Sequence, residues 1–147
     1  MTEPTPRPVK ILFVCVGNAC RSPMAEAWAK HYGNGRLEVY SAGSCAYGQI
    51  IADTYAVMRE KGISLEGQKS KGLRDVPLAE MDIVVRMGTE VECTPPLGFK
   101  GRVEEWRIPD PYARGLETFR MVRDQIELEV QGLLADLPAA DPPRKPA

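Results

Sequence analysis

The sequence predicts an α/β protein: a single three-layer domain in which helices cover both faces of an open four-stranded parallel sheet. Two observations carry this reading. Short apolar runs alternate along the chain with longer segments of helical periodicity, as parallel strands joined by crossovers require. The first run also ends in Cys-Val-Gly-Asn-Ala-Cys-Arg-Ser-Pro (residues 15–23), which turns directly into a helix. Sheets of this kind present their ligand sites at the carboxyl ends of strands, where such turns lie.

The first expected strand, Val9–Cys15, is apolar almost throughout, as burial on both faces demands. Ser22–Tyr32 follows as a helix, with Ser22 as N-cap, Pro23 at the first helical position and Gly33 as the stop. Leu37–Ser41 reads as the second strand. Ala52–Lys61 reads as a helix with Tyr55, Met58 and Arg59 near one face, ended by Gly62. Asp82–Met87 and Arg102–Trp106 read as the third and fourth strands. Leu116–Leu137 closes the fold. In this helix Leu116, Phe119, Ile126, Val130, Leu133 and Leu137 form an apolar stripe, while Arg120, Asp124, Glu127 and Glu129 face water. That polar face is mixed rather than basic, which argues against a helix lying on a membrane surface. Residues 1–8, with three prolines, and 138–147 are expected as flexible flanks of a domain spanning 9–137.

A chain of 147 residues is long enough for one sizeable core. Its 19 Lys and Arg against 20 Asp and Glu leave a formal charge of −1, so a nucleic-acid footprint is not expected. No apolar run approaches the ~20 residues of a membrane span, and the N-terminus carries no apolar signal region, so the expected location is the cytoplasm. There the four cysteines are expected as thiols. Zinc is not expected. Cys15 and Cys20 are suitably spaced, but Cys45 and Cys93 form no second close pair. The sole histidine, His31, is read as structural or solvated.

The chemistry concentrates in Cys15-x5-Arg21-Ser22. A curl over these residues turns backbone N–H groups inward at a helix N-terminus, making an anion cradle from Val16, Gly17, Asn18, Ala19 and Cys20. Gly17 and Asn18 are the residue types that tolerate unusual backbone angles. Arg21 supplies a bidentate grip on a tetrahedral oxyanion. The Cys15 thiol at the floor becomes a nucleophile, and the surrounding positive charge favours its thiolate. Ser22 is placed to add a hydroxyl hydrogen bond. Thiolate attack at phosphorus also needs a proton donor for the departing oxygen. Asp110, stiffened between Pro109 and Pro111, is the candidate, and it can later serve as base toward water.

The strand, the Cys15–Ser22 motif and the following Pro23-Met24-Ala25-Glu26 resemble the low-molecular-weight protein tyrosine phosphatases and the thioredoxin-linked arsenate reductases that share their fold. The resemblance covers roughly residues 9–137. It implies that Cys15 forms a phosphocysteine and that Asp110 is the general acid. It also implies that Tyr47 and Tyr112 wall the cleft, with an aryl phosphate between their rings. Different segments lean toward different branches. Pro23 and Ile108–Tyr112 look phosphatase-like. Gly67–Lys71, Glu105-Trp106, Leu116–Asp124 and the stretch from Met87 to Pro96 look reductase-like.

Arsenate has the shape of phosphate, but its reduction needs a second thiol to attack the Cys15–arsenate adduct. Reductases of this branch usually carry two cysteines after the third strand. Cys93 is present, whereas Thr89 stands where the first is expected. Cys20 is the other redox candidate, since a cysteine at this place in the phosphatases forms a reversible disulfide with the nucleophile. Cys45 is either near the cleft mouth or a small apolar filler.

The phosphatase set is complete and the reductase set is one residue short. The first reading is therefore a phosphomonoesterase acting on a phosphotyrosine protein or small aryl phosphate, without cofactor. Metal is not required, because Arg21 and the N–H groups already stabilise charge. The alternative is an arsenate reductase with Cys93 or Cys20 as resolving thiol and thioredoxin, glutaredoxin or another thiol reductant as partner. A lesser alternative is a non-catalytic oxyanion-binding or redox-sensing module, against which Asp110 speaks.

Overall fold

Strands β1 (Val9–Cys15), β2 (Leu37–Gly43), β3 (Ile83–Arg86) and β4 (Arg102–Glu105) pair in parallel in the order β2–β1–β3–β4. They belong to a computed structural model that describes residues 7–33 and 35–137. β1 is central, and its last residue, Cys15, stands opposite Gly43 of β2. From β1 the chain goes to β2 on one side and later crosses to β3 on the other. The strand order thus reverses beside β1, and the crevice that such a reversal opens lies at the carboxyl end of that strand. Cys15 is placed there by topology.

The two-residue period of β1 divides the core. Ile11, Phe13 and Cys15 face a cluster formed with helices α1 (Arg21–Gly33), α2 (Ala52–Arg59) and α3 (Leu116–Asp136). Leu12 and Val14 face a smaller cluster with Val84, Met81, Val91 and Cys93. Two 3₁₀ turns, Leu73–Asp75 and Leu78–Glu80, and their loops cover that second face. Each turn has three residues, too short to leave a periodic signal in sequence.

Three local readings change. The first bond of α1 runs from the Met24 N–H to the Cys20 carbonyl at 3.2 Å, so the helix begins at Arg21. Ser22 lies inside its first turn and is not the N-cap. Pro23 remains in the turn where an N–H needs no acceptor. The buried face of α2 is Thr54, Val57 and Met58, with Tyr55 and Arg59 exposed. That face is set by Thr54, whose hydroxyl donates to the Ala19 carbonyl at 2.8 Å. In α3, Leu116 is exposed, while Val122 and Leu134 complete the buried stripe with Phe119, Ile126, Val130 and Leu133. Leu116 is the first residue of the helix and precedes the turn that packs.

Arg123 is buried on α3 because it donates to the Val57 carbonyl (3.0 Å) and to Glu60 (2.7 Å). Arg120 also donates to Glu60, at 2.9 Å, and the two hydrogen-bonded guanidinium groups hold its carboxyl at about 2. A lowered folded value means that this clasp between α2 and α3 contributes above the ordinary carboxylate range and is lost as pH falls toward about 2. Thermal melts should therefore show wild type above Glu60→Gln at neutral pH. The gap should close on acidification from 4.5 toward about 2.

Of the expected flanks at 1–8 and 138–147, residues 1–6 and 138–147 lie outside the described residues, and Arg7 pairs with Asp82 at 2.8 Å. Among the described residues no helix is long and apolar enough to cross a membrane.

Candidate active site

The turn from β1 into α1 is shaped by where its carbonyls go. Cys15 O accepts from Ser44 N–H (2.9 Å), Val16 O from Cys45 N–H (2.8 Å) and Gly17 O from Tyr47 N–H (2.8 Å) and the Ser70 hydroxyl (3.0 Å). Ala19 O accepts from Ile51 N–H and the Thr54 hydroxyl. With the carbonyls held outward, the N–H groups of Gly17, Ala19, Cys20 and Arg21 have no protein acceptor among the described residues. They form the positive concavity expected of a residue ring at a helix N-terminus.

Asn18 makes the sharpest bend, at φ 50, a region in which Asn is favoured over other non-glycine residues. Gly17 has no positive φ, and a Cβ there would meet only ordinary contacts, so the expected need for glycine is not seen at this position. The close approach occurs across from it, at Gly43. A Cβ on Gly43 would come within 2.9 Å of Asn18 N and still nearer to Val16 O, so glycine is required for β2 to run against the loop.

The Asn18 side chain is fully buried, and every polar atom of its amide is hydrogen-bonded. Its Oδ1 accepts from the Lys71 N–H at 2.8 Å, which leaves Nδ2 to donate to Ser22 (2.7 Å) and Ser41 (3.0 Å). Ser41 passes its own proton to Glu26 at 2.6 Å. The Ser22 hydroxyl, which accepts from Asn18, also shares a hydrogen bond with the Cys15 sulfur 2.9 Å away, in which either group can be the donor. The sulfur also receives the Asn18 and Ser22 N–H groups at 3.3 and 3.5 Å. Two backbone N–H groups and the Ser22 hydroxyl thus surround the Cys15 sulfur. Ser41, Glu26, Lys71 and Thr54 were absent from the sequence-predicted set. Ser41, Glu26 and Thr54 are signalled by burial of their polar groups, and Lys71 by its backbone N–H, neither of which shows before the chain is folded.

Arg21 is 2% exposed. Its Nη1 donates to the carbonyls of Met87 (2.6 Å) and Ile108 (2.9 Å), and its Nη2 pairs with Glu90 at 2.8 Å. Burial works against ionisation of Glu90. A backbone hydrogen bond and Arg21 outweigh it and hold the carboxyl below its ordinary value. Gly88, at φ 142, leaves room for this pair, since a Cβ would lie 2.7 Å from Arg21 Nη1. Asp110 accepts the Tyr112 N–H on Oδ1 (3.1 Å) and sets Oδ2 3.9 Å from Arg21.

A cleft of ≈ 260 Å³ gathers Cys15, Val16, Gly17, Ala19, Cys20, Arg21, Tyr47, Asp110 and Tyr112, and adds Cys45. Asn18 and Ser22 support it through the sulfur contacts already described. Tyr47 and Tyr112 do not leave a slot between them. Their hydroxyls are 2.6 Å apart and their rings meet edge to face with centroids at 5.6 Å. An aryl group held between parallel rings needs them about 7 Å apart, twice a ~3.5 Å contact. The pair closes one side of the cleft instead.

The thiols differ sharply. Cys20 is buried, and desolvation pushes it up to about 12. Cys93 is not brought to the cleft. It packs in the cluster on the sheet face opposite to that of Cys15, and burial raises its thiol. Cys45 is exposed. His31 packs against Trp28 and Tyr32, away from this site.

The chain matches the family model for low molecular weight phosphotyrosine protein phosphatase over residues 10–141. It is 35% identical to a glutaredoxin arsenate reductase of Synechocystis, over 87% of this chain and 98% of that protein. A solved arsenate reductase in its phosphate-binding state superposes with a TM-score of 0.79 at 35% identity, over 86% of this chain and 97% of the other. A solved low molecular weight protein tyrosine phosphatase from T. tengcongensis gives 0.76 at 27% identity, over 88% and 99%.

Proposed function

The chain belongs to the low molecular weight phosphotyrosine protein phosphatase family, and from that premise we propose that this enzyme reduces arsenate to arsenite. One observation carries the choice within the family: the relative 35% identical along nearly its whole length is an arsenate reductase. This reverses the order reached from sequence, where phosphomonoester hydrolysis came first. The closed Tyr47–Tyr112 pair supports the change, because the cleft it leaves suits a small tetrahedral oxyanion better than an aryl ester.

In the proposed reaction the N–H groups of Gly17, Ala19 and Cys20 and the Arg21 guanidinium hold the arsenate oxygens. The Cys15 thiolate attacks arsenic, Asp110 protonates the departing oxygen, and water leaves as the sulfur–arsenic bond forms. A second thiol then attacks the Cys15 sulfur. The new disulfide takes the place of the sulfur–arsenic bond, whose electron pair stays on arsenic, and arsenite departs. A thiol reductant of the thioredoxin or glutaredoxin class restores the dithiol.

Phosphomonoester hydrolysis remains the second reading, because Asp110 lies in the same cleft as Cys15 and Arg21 and serves a phosphate ester equally well. Paired assays separate the two. Arsenate should drive NADPH consumption through a thioredoxin or glutaredoxin system, and Asp110→Asn should slow it by about 10²–10⁴-fold. Failure with both reductants, alongside turnover of p-nitrophenyl phosphate, would return the assignment to phosphatase.

A further inference from the structure

We propose that Cys45 is the thiol that resolves the Cys15–arsenic adduct, forming a Cys15–Cys45 disulfide as arsenite leaves. This inference rests on the reductase reading and names the residue that reading lacks.

The backbone brings the segment that carries Cys45 against the loop that begins at Cys15. Beyond the end of β2 the chain continues along the outer edge of the oxyanion loop, Ser44 N–H bonding to the Cys15 carbonyl and Cys45 N–H to that of Val16. Cys15 stands opposite Gly43 and Cys45 lies two residues farther along that segment, so the exposed Cys45 segment has to close on Cys15 for the pair to reach the ~4.4–6.8 Å Cα separation of a disulfide. Gly43 makes the approach possible, since any side chain there would collide with the Val16 carbonyl. Both cysteines then line the same ≈ 260 Å³ cleft.

The competing thiols are less well placed. Cys93 is 3% exposed and sits among Leu12, Val14 and Val84 on the far face of the sheet. To reach Cys15 it would have to leave that cluster. Cys20 lines the cleft but is 5% exposed in an environment that keeps its thiol protonated. Cys45 alone among these three is exposed. An external reductant needs that exposure too, because its thiolate must attack one sulfur of the disulfide.

The step balances. The Cys45 thiolate attacks the Cys15 sulfur, a sulfur–sulfur bond forms and the sulfur–arsenic bond breaks. Arsenic keeps the electron pair and passes from the pentavalent to the trivalent state, while both thiols are oxidised to the disulfide. Two thiol equivalents from a dithiol protein or a small thiol then attack the exposed Cys45 sulfur and regenerate the pair.

Trypsin separates the partners, since Cys15 and Cys20 fall in residues 11–21, Cys45 in 37–59 and Cys93 in 87–100. The reduced full-length protein is mixed with arsenate without reductant, free thiols are alkylated, and the digest is read by mass spectrometry. The expected result is about one arsenite per chain, with peptide 11–21 linked to 37–59 and Cys20 alkylated. Cys45→Ser should release no arsenite while keeping the wild-type circular dichroism spectrum. A link to 87–100, a bridge within 11–21, or wild-type arsenite release by Cys45→Ser would overturn the role of Cys45 alone. No arsenite from wild type, even with excess dithiothreitol, would overturn the reductase reading and this role with it.

Discussion

Cys15→Ser abolishes arsenite formation and p-nitrophenyl phosphate hydrolysis together, each falling on the order of 10⁵-fold or more. The size follows from what surrounds the sulfur. The Asn18 N–H, the Ser22 N–H and the Ser22 hydroxyl lie 3.3, 3.5 and 2.9 Å from it. A serine hydroxyl is a far weaker acid than a thiol, and no histidine stands beside it to take its proton. His31, the single histidine, lies on another part of α1. The cradle itself does not depend on the thiol, because its carbonyls are held outward by Ser44, Cys45, Tyr47 and Thr54. Phosphate should therefore still raise the melting temperature of Cys15→Ser, by ligand linkage to the folded state. Retained chemistry would remove Cys15 from the mechanism. Loss of both chemistry and the phosphate-induced shift would mean that the thiol also holds the loop in shape.

What was legible in the sequence was the part governed by local pattern. The apolar run of β1 declares a strand buried on both faces, and Ile11 through Val14 are all fully buried. The stripe of α3 declares a helix with one packed face. Residues 15–23 announce an oxyanion loop because a strand end, a helix start and an arginine must fall at fixed spacing for such a loop to close. Errors arose where tertiary contacts overrode local rules. Ser22 has the chemistry of an N-cap, but its hydroxyl is taken up by the Asn18 amide and the Cys15 sulfur. Tyr47 and Tyr112, 65 residues apart, read as two separate walls until folding brings their hydroxyls together.

The thiols illustrate the same limit more sharply. The family resemblance made Cys20 and Cys93 the redox candidates, one five residues from the nucleophile and the other in the loop after β3. Reactivity depends on exposure and geometry rather than chain position. Cys93 falls on the opposite sheet face because Val91 and Cys93 both pack beneath the second cluster. Cys45 reaches the cleft only because Gly43 allows β2 to touch the loop backbone, and no local pattern around residue 45 reveals that contact. Similarly, Glu90 meets Arg21 across a separation of 69 positions that carries no periodicity linking them.

Arg21→Lys, which keeps the positive charge, should still lower kcat/KM for arsenate by about 10³-fold. The reason is the number of directions that the guanidinium serves at once. Nη1 is committed to the Met87 and Ile108 carbonyls and Nη2 to Glu90, so the planar group is fixed from behind while its remaining donors face the cleft. A lysine ammonium has three donors on a flexible stem and cannot satisfy two buried carbonyls and grip two oxyanion oxygens together. Arg21→Ala would go further, leaving both carbonyls unpaired at about 1–3 kcal/mol each, and should also lower the denaturant midpoint. Lysine should thus resemble alanine in rate more than it resembles arginine, while differing from alanine in stability. If Arg21→Lys kept kcat/KM within tenfold of wild type, bulk positive charge would suffice. The rigid fork, and with it the buttressing by Met87, Ile108 and Glu90, would then have no catalytic role.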